Sequence, residues 1–109
     1  MNINFSGYRE NILTFECDED VVAGGWVKML SSGKVTCCKA GENFIGVAVA
    51  VRDGYAAVQL DGYIEAQKNG EINVGYNKLV AAPSGVQFAE SGIDRLVIYS
   101  SFDTVGFIL

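Results

Sequence analysis

The sequence has 109 residues, of which half are hydrophobic and 19% are charged, and its net charge is −5. This length fits one domain with a real core, and the apolar content excludes a disordered tail. The eight basic residues are scattered, no apolar run approaches the roughly 20 residues that cross a bilayer, and the start does not resemble a secretory signal. We therefore expect no nucleic acid and no membrane as partners, and synthesis in a cytoplasm.

The first ten residues differ from the rest of the chain. Ile3, Phe5 and Tyr8 alternate with polar residues, and Arg9 follows them, without a turn that would fold the segment back. We interpret residues 1–10 as an extended arm that becomes ordered on a partner or on a neighbouring subunit. The alternative is a frayed end or an edge strand. Ile3, Phe5, Tyr8 and Arg9 are the residues predicted to bind that partner.

Short runs rich in Val, Ile, Tyr and Phe alternate with glycine-centred breaks from residue 11 onward, which is typical of antiparallel strands. We predict an all-β domain over residues 11–109, a compact antiparallel β-barrel or β-sandwich with little or no helix. Asp53-Gly54 is the best hairpin signal, because a type I′ turn needs positive φ. Asp61-Gly62 and Asn69-Gly70 are further candidates. The predicted strands are 11–17, 26–30, 34–38, 44–51, 55–60, 63–67, 78–82, 87–89, 95–99 and 105–109.

The sequence contains a module that occurs twice. In each copy a glycine and an aromatic residue precede a lysine-containing apolar strand, a Ser-Gly turn reverses the chain, and an apolar strand with an internal glycine follows. The first copy combines residues 24–30, the turn at 31–33, and residues 34–36 and 44–48. The second combines residues 74–80, the turn at 83–85, and residues 86–88 and 104–109. We interpret the modules as quasi-repeated hairpins.

Two predicted strands, 44–51 and 105–109, are apolar on both faces. A strand of a single-layer antiparallel sheet would have one polar face. We expect a closed barrel or another subunit to cover these strands, and we predict a homo-oligomer, with a trimer preferred.

The polar residues do not form a known reactive group. The chain has no histidine, which removes the commonest general base and metal ligand. Its three cysteines, Cys17, Cys37 and Cys38, favour free thiols in a reducing compartment over a disulfide framework or a zinc site. Acidic residues crowd positions 16–20, which we interpret as a solvated turn. We expect no catalytic residue, no metal and no cofactor.

Two other classes of function remain open. A small hydrolase could use carboxylates if Asp53, Asp61 or Glu65 converged in a cleft. A small carbohydrate- or host-surface-binding module could use aromatic side chains exposed on one side. The aromatic candidates are Tyr8, Trp26, Tyr55, Tyr63, Tyr76 and Tyr99.

One resemblance concerns the order of Gly, Val and Ala positions along the chain. It lies in residues 21–27, 33–35, 40–48 and 58–63, and in the Val-Gly-x-x-Lys-Leu step of residues 74–79. This order resembles that of small all-β bacteriophage capsid decoration, or cement, proteins. Cys37-Cys38, Trp26 and the arm depart from the family pattern. The resemblance implies a non-enzymatic phage or prophage protein that binds the major capsid protein, often as a trimer, on the outside of the virion.

Overall fold

The structure is a computed structural model that describes residues 11–109. These residues form ten strands. The predicted arm, residues 1–10, lies outside the described residues, as do Ile3, Phe5, Tyr8 and Arg9. The strands are β1 (Ile12–Glu16), β2 (Trp26–Met29), β3 (Val35–Cys37), β4 (Gly46–Arg52), β5 (Tyr55–Gln59), β6 (Tyr63–Gln67), β7 (Gly75–Ala82), β8 (Gly85–Phe88), β9 (Ile93–Ser100) and β10 (Thr104–Ile108). No helix occurs among residues 11–109. The all-β prediction is therefore confirmed, with a predicted strand near every observed one.

The strands form two antiparallel five-stranded sheets with the same topology. The first sheet has the order β1-β5-β4-β2-β3, and the second has the order β6-β10-β9-β7-β8. A β-bulge also recurs, since Val49 in β4 and Ile98 in β9 are each skipped by the ladder to the following strand. The chain thus consists of two copies of one five-stranded unit, which we call the first half and the second half.

Each sheet curls around a core of its own. The first half buries Val27, Val35, Ala48, Ala56 and Val58, whereas the second half buries Leu79, Val86, Val97, Val105 and Phe107. The outer strands of each sheet meet at one isolated parallel bridge, Cys17 with Val35 and Lys68 with Val86. Single bridges do not close a ladder, so the fold is sandwich-like and not a closed barrel.

Turn chemistry explains the β4–β5 hairpin. Asp53 and Gly54 have φ values of 53° and 81°, as a type I′ turn requires, and Arg52 pairs with Tyr55 across it. The Asp53-Gly54 prediction is therefore confirmed. The hairpins predicted at Asp61-Gly62 and Asn69-Gly70 are wrong, because the first turn joins the two sheets and the second joins β6 to β7, which do not pair.

The predicted repeat is correct in kind but not in extent. The turns at residues 31–33 and 83–85 do occupy matching places, between β2 and β3 and between β7 and β8. However, the repeat includes five strands per copy, and the counterpart of β4 is β9, whereas the sequence pattern matched it to β10. The mismatch arose because Gly46 and Gly106 each lie within an apolar run of the sequence. In the structure they differ, since Gly46 lies against the Gln59 backbone and Gly106 lies under the Tyr63 ring.

The two-faced apolar strands are covered in part within residues 11–109. Phe44, Val47 and Ala48 are buried, as are Val105 and Phe107. Ala48 faces the first core, while Phe44 belongs to the core of the second half. No closed barrel covers these strands, and Val49 and Val51 remain 44% and 37% exposed. Cover by another subunit therefore stays a prediction.

Candidate interaction surfaces

Four side chains form a row across the first sheet, on the face that points away from its core. We call these residues the covered row: Ile12, Gln59, Val47 and Trp26, which are neighbours in the ladder. Val47 is only 7% exposed although it faces away from the first core. The Trp26 ring packs against the core of the second half, and its Nε1 donates to the Gly85 carbonyl oxygen at 2.9 Å. The second half therefore packs on the Trp26 end of this row, whereas Ile12 at the other end is 44% exposed.

The corresponding row of the second sheet is not covered in the same way. We call it the open row, and its ladder neighbours are Tyr63, Ile108, Leu96 and Tyr76. Tyr76, the counterpart of Trp26 in this row, is 77% exposed. The other three side chains are half-buried. Tyr99 lies on the same face, since it pairs with Gly106 next to the row. The open row is thus an apolar and tyrosine-rich surface on a rigid sheet.

A glycine determines how Tyr63 lies on this face. A Cβ built on Gly106 would approach the Tyr63 hydroxyl oxygen to 1.9 Å, so the ring lies directly over the glycine. The Tyr63 hydroxyl donates to Glu65 Oε2 at 2.7 Å. Burial, followed by the Glu65 hydrogen bond and the charges of Glu65 and Tyr99, raises the pKa of Tyr63 to about 12. Tyr63 therefore remains a neutral hydrogen-bond donor at physiological pH.

The loop of residues 38–45, which we call the connecting loop, fastens the first half to the second. Its Gly41 amide donates to the Ala81 carbonyl oxygen at 2.8 Å, and the Ala81 amide donates to the Glu42 carbonyl oxygen at 2.9 Å. At its end, Phe44 stacks on Trp26 with ring centroids 4.1 Å apart. The guanidinium of Arg95 lies 4.9 Å from the Phe44 ring centroid, and its Nη2 donates to the Phe44 carbonyl oxygen at 2.9 Å. The loop thus carries an aromatic side chain of one half into the core of the other.

An ion pair holds the connecting loop against β2. Lys28 Nζ donates to Glu42 Oε2, and Glu42 Oε1 accepts the Lys39 amide at 2.7 Å. These hydrogen bonds lower the pKa of Glu42, while the bond to Glu42 raises the pKa of Lys28. Both side chains are about one-third exposed, so water screens the pair. We therefore assign the pair to loop positioning.

The two halves leave a groove of about 480 Å³ between them. Its walls include Trp26 and Val47 of the covered row, strand β6 from Ile64 to Gln67, and the tip of the β7–β8 hairpin from Ala81 to Gly85. Apart from Glu65, the named side chains are uncharged. The groove marks the border of the contact between the halves.

The acidic segment lines an open cavity of about 770 Å³ at the other end of the first half. Lys34 lies 3.5 Å from Glu16 Oε2 and 4.0 Å from Asp18 Oδ1, and Thr36 donates to Asp20 Oδ1 at 3.3 Å. Among residues 11–109, no group of three or more His, Cys, Asp or Glu side chains is arranged to hold a metal ion. We assign no ligand to this cavity.

The three candidate carboxylates of a hydrolase do not converge. Asp53 lies in the turn before β5 and Asp61 lies beyond its other end, so the five residues of β5 separate them by roughly 20 Å. Glu65 belongs to the second sheet and bonds to Tyr63. The convergence that would have favoured carboxylate hydrolysis is therefore not found.

All three cysteines are free thiols, Cys17 in the first core and Cys37 and Cys38 half-buried. The prediction that thiol titration finds three free thiols stays a prediction. Burial, followed by the negative charges of Glu42 and Cys37, raises the pKa of Cys38 to about 11. At pH 8, Cys38 is accordingly almost entirely protonated, and a protonated thiol is a poor nucleophile.

We therefore expect iodoacetamide to label Cys38 in the native protein about tenfold faster with each pH unit, up to a plateau near pH 11. Mass spectrometry of the peptides measures this rate site by site. A thiol with an ordinary pKa of about 8.5 would reach its plateau about two pH units lower. A plateau of Cys38 labelling near pH 9 would contradict the burial that we describe.

Comparison of the chain with family models, with curated proteins and with solved structures gives no match. Within residues 11–109, no helix is long and apolar enough to cross a membrane.

Sequence patterns identified Tyr63, Tyr76 and Tyr99 as aromatic candidates but could not place them on one face. Leu96 and Ile108 were not singled out at all. They become part of a surface only through the strand register, which aligns residues that are far apart in sequence. The predicted binding residues of the arm remain outside the described residues, so that prediction is not tested.

Proposed function

We propose that this chain is a non-enzymatic bacteriophage or prophage structural protein, which decorates and stabilises the outside of the capsid by binding the major capsid protein as an oligomer, with a trimer preferred. The observation that carries a binding role is the open row. Tyrosine side chains are enriched where protein surfaces meet, because a rigid aromatic ring buries much area at little entropic cost. The capsid as the partner comes from the sequence resemblance.

Two further features support an architectural role. The halves are joined by a buried aromatic side chain and by backbone hydrogen bonds of the connecting loop, so they pack together as a double unit. The chain is also acidic, with a net charge of −5, which suits a protein outside a shell filled with DNA. The virion surface is the proposed location, after synthesis in the bacterial cytoplasm.

The test uses heads assembled from the major capsid protein of the same genome, purified without this chain. We expect the added full-length protein to sediment with these heads and to saturate at a fixed ratio to the capsid subunit. We also expect it to raise the temperature at which the heads disassemble. Heads that neither bind the protein nor gain stability would contradict the proposal.

Deletion of residues 1–9 separates the arm from the folded domain. If the arm adds a strand to the capsid and seats Ile3, Phe5 and Tyr8 in pockets, the shortened protein should bind heads at least tenfold more weakly, with unchanged circular dichroism and unchanged oligomeric state. The matched control is a chain in which Asn2, Asn4 and Ser6 are replaced by alanine, which keeps the apolar positions. Equal binding of the shortened and full-length chains would show that the capsid contacts the folded domain instead.

A second candidate function is favoured by the shared face of Tyr63, Tyr76 and Tyr99. Exposed tyrosine rings beside a carboxylate, here Glu65, form a surface on which a sugar ring could stack and donate hydrogen bonds. This would make the chain a carbohydrate- or host-surface-binding module. Binding on a glycan array that is lost in Tyr76→Ala would favour it over the structural role.

A further inference from the structure

The contact between the two halves has two sides, and each side has a counterpart elsewhere in the chain. On one side is the covered row of the first half. On the other side is an edge of the second half, which we call the covered edge. It consists of Ile64 of β6, Ala81 of β7, which bonds to the connecting loop, and Gly85 of β8, which accepts the Trp26 hydrogen bond. The ladders relate these residues to positions in the first half, because both sheets have the same strand order.

The counterpart of the covered edge is exposed. Ile64 pairs with Phe107 as Leu13 pairs with Val58, and Ala81 pairs with Val86 as Met29 pairs with Val35. Leu13 is 48% exposed and Met29 is 42% exposed, whereas Ala81 is buried. The β2–β3 turn beside them, residues 31–33, is exposed too. We call Leu13, Met29 and residues 31–33 the open edge.

Among residues 11–109, each half therefore has one surface that the other half does not cover. The first half presents an open edge, and the second half presents the open row. Within the chain, a row of one half packs on an edge of the other, through Trp26 and Gly85. The open row corresponds to the covered row and the open edge to the covered edge, although β7 has two more residues than β2 between the matching positions. Tyr76 of the open row and Met29 of the open edge remain exposed.

We propose that the open row of one molecule binds the open edge of a second copy of this chain, in a head-to-tail contact that repeats the contact between the halves. Such an interface is heterologous, so successive copies either close into a ring or grow into a filament. This contact would build the oligomer of the proposed function, on which the proposal rests, and it does not depend on the capsid. The new contact repeats the packing of a row on an edge but not the part made by the connecting loop, since the β8–β9 loop (residues 89–92) that takes its place is four residues shorter.

The experiment uses three full-length variants in sedimentation equilibrium. Tyr76→Glu places a charge on the open row, and Met29→Glu places one on the open edge. Phe102→Glu is the matched control, because Phe102 is 98% exposed in the β9–β10 turn and belongs to neither surface. Burying a charge at an interface is unfavourable, so each of the first two variants should weaken self-association at least tenfold, whereas Phe102→Glu should associate as the unmodified chain does. If Met29→Glu unfolds, Ser32→Trp takes its place, because it adds a bulky side chain to the exposed turn of the open edge.

Mixing the two defective variants distinguishes this contact from a symmetric one. The Tyr76→Glu chain retains an intact open edge, and the Met29→Glu chain retains an intact open row. An equimolar mixture should therefore form dimers that contain one molecule of each, and it should stop at the dimer. A mixture that remains monomeric would overturn the head-to-tail contact. If Tyr76→Glu alone associated normally, or if the unmodified chain were a monomer, the inference would be overturned as well, the latter together with the proposed oligomer.

Discussion

Replacing Phe44 with alanine is expected to lower the free energy of unfolding by about 3–5 kcal/mol, the usual cost of removing a buried phenylalanine. Phe44 is only 1% exposed and contacts Trp26, Phe107 and Arg95 in the core of the second half. Its loss leaves a cavity where the two halves meet. It also removes the surface on which the Arg95 guanidinium stacks. Urea unfolding followed by tryptophan fluorescence measures the effect.

Phe102→Ala is the control for this prediction, because it removes the same side chain from an exposed turn. We expect its effect to stay within about 0.5 kcal/mol, as for most exposed positions. Similar effects of the two substitutions would mean that the connecting loop does not anchor the halves in solution.

Replacing Gly46 with alanine should destabilise the protein by about 3 kcal/mol, at the upper end of the usual cost of overpacking. A Cβ at this position would lie 2.1 Å from the Gln59 carbonyl oxygen, which is a backbone atom and cannot rotate away. To relieve the clash, β4 and β5 must separate next to the covered row. Thermal unfolding monitored by circular dichroism measures the change.

Gly33→Ala is the matched comparison for Gly46→Ala. Gly33 has a φ of 91° and no heavy atom within 4 Å of a built Cβ, so alanine there meets backbone strain without a clash. That strain costs about 1 kcal/mol. A Gly46→Ala variant that is as stable as Gly33→Ala would contradict the close approach of β4 and β5.

Local patterns in the sequence determined most of the fold. The β-branched and aromatic runs predicted the strands, and Asp53-Gly54 predicted its hairpin, since both signals depend on neighbouring residues. Asp61-Gly62 and Asn69-Gly70 are dipeptides of the same type, but the strands on either side of them do not pair with each other. A turn reverses the chain whether the next strand joins the same sheet or another one, so the local signal cannot distinguish these outcomes.

The interaction surfaces depend on information that is not local. The apolar runs around Phe44 and Phe107 indicated that something covers them, but not that Phe44 of the first half lies in the core of the second half. Tyr76 and Ile108 become part of one surface only through the order β6-β10-β9-β7. Likewise, the sequence showed Gly106 only as a glycine within an apolar strand. The Tyr63 ring packs over this glycine because β6 pairs with β10.

The proposed decoration of a phage head is tested most directly by cryo-electron microscopy of heads assembled with and without this chain. We expect added density on the outer surface, in which each copy contributes two five-stranded units and the open row of one copy meets the open edge of the next. Identical maps of the two preparations, or density confined to the interior of the shell, would contradict the proposed decoration of the head.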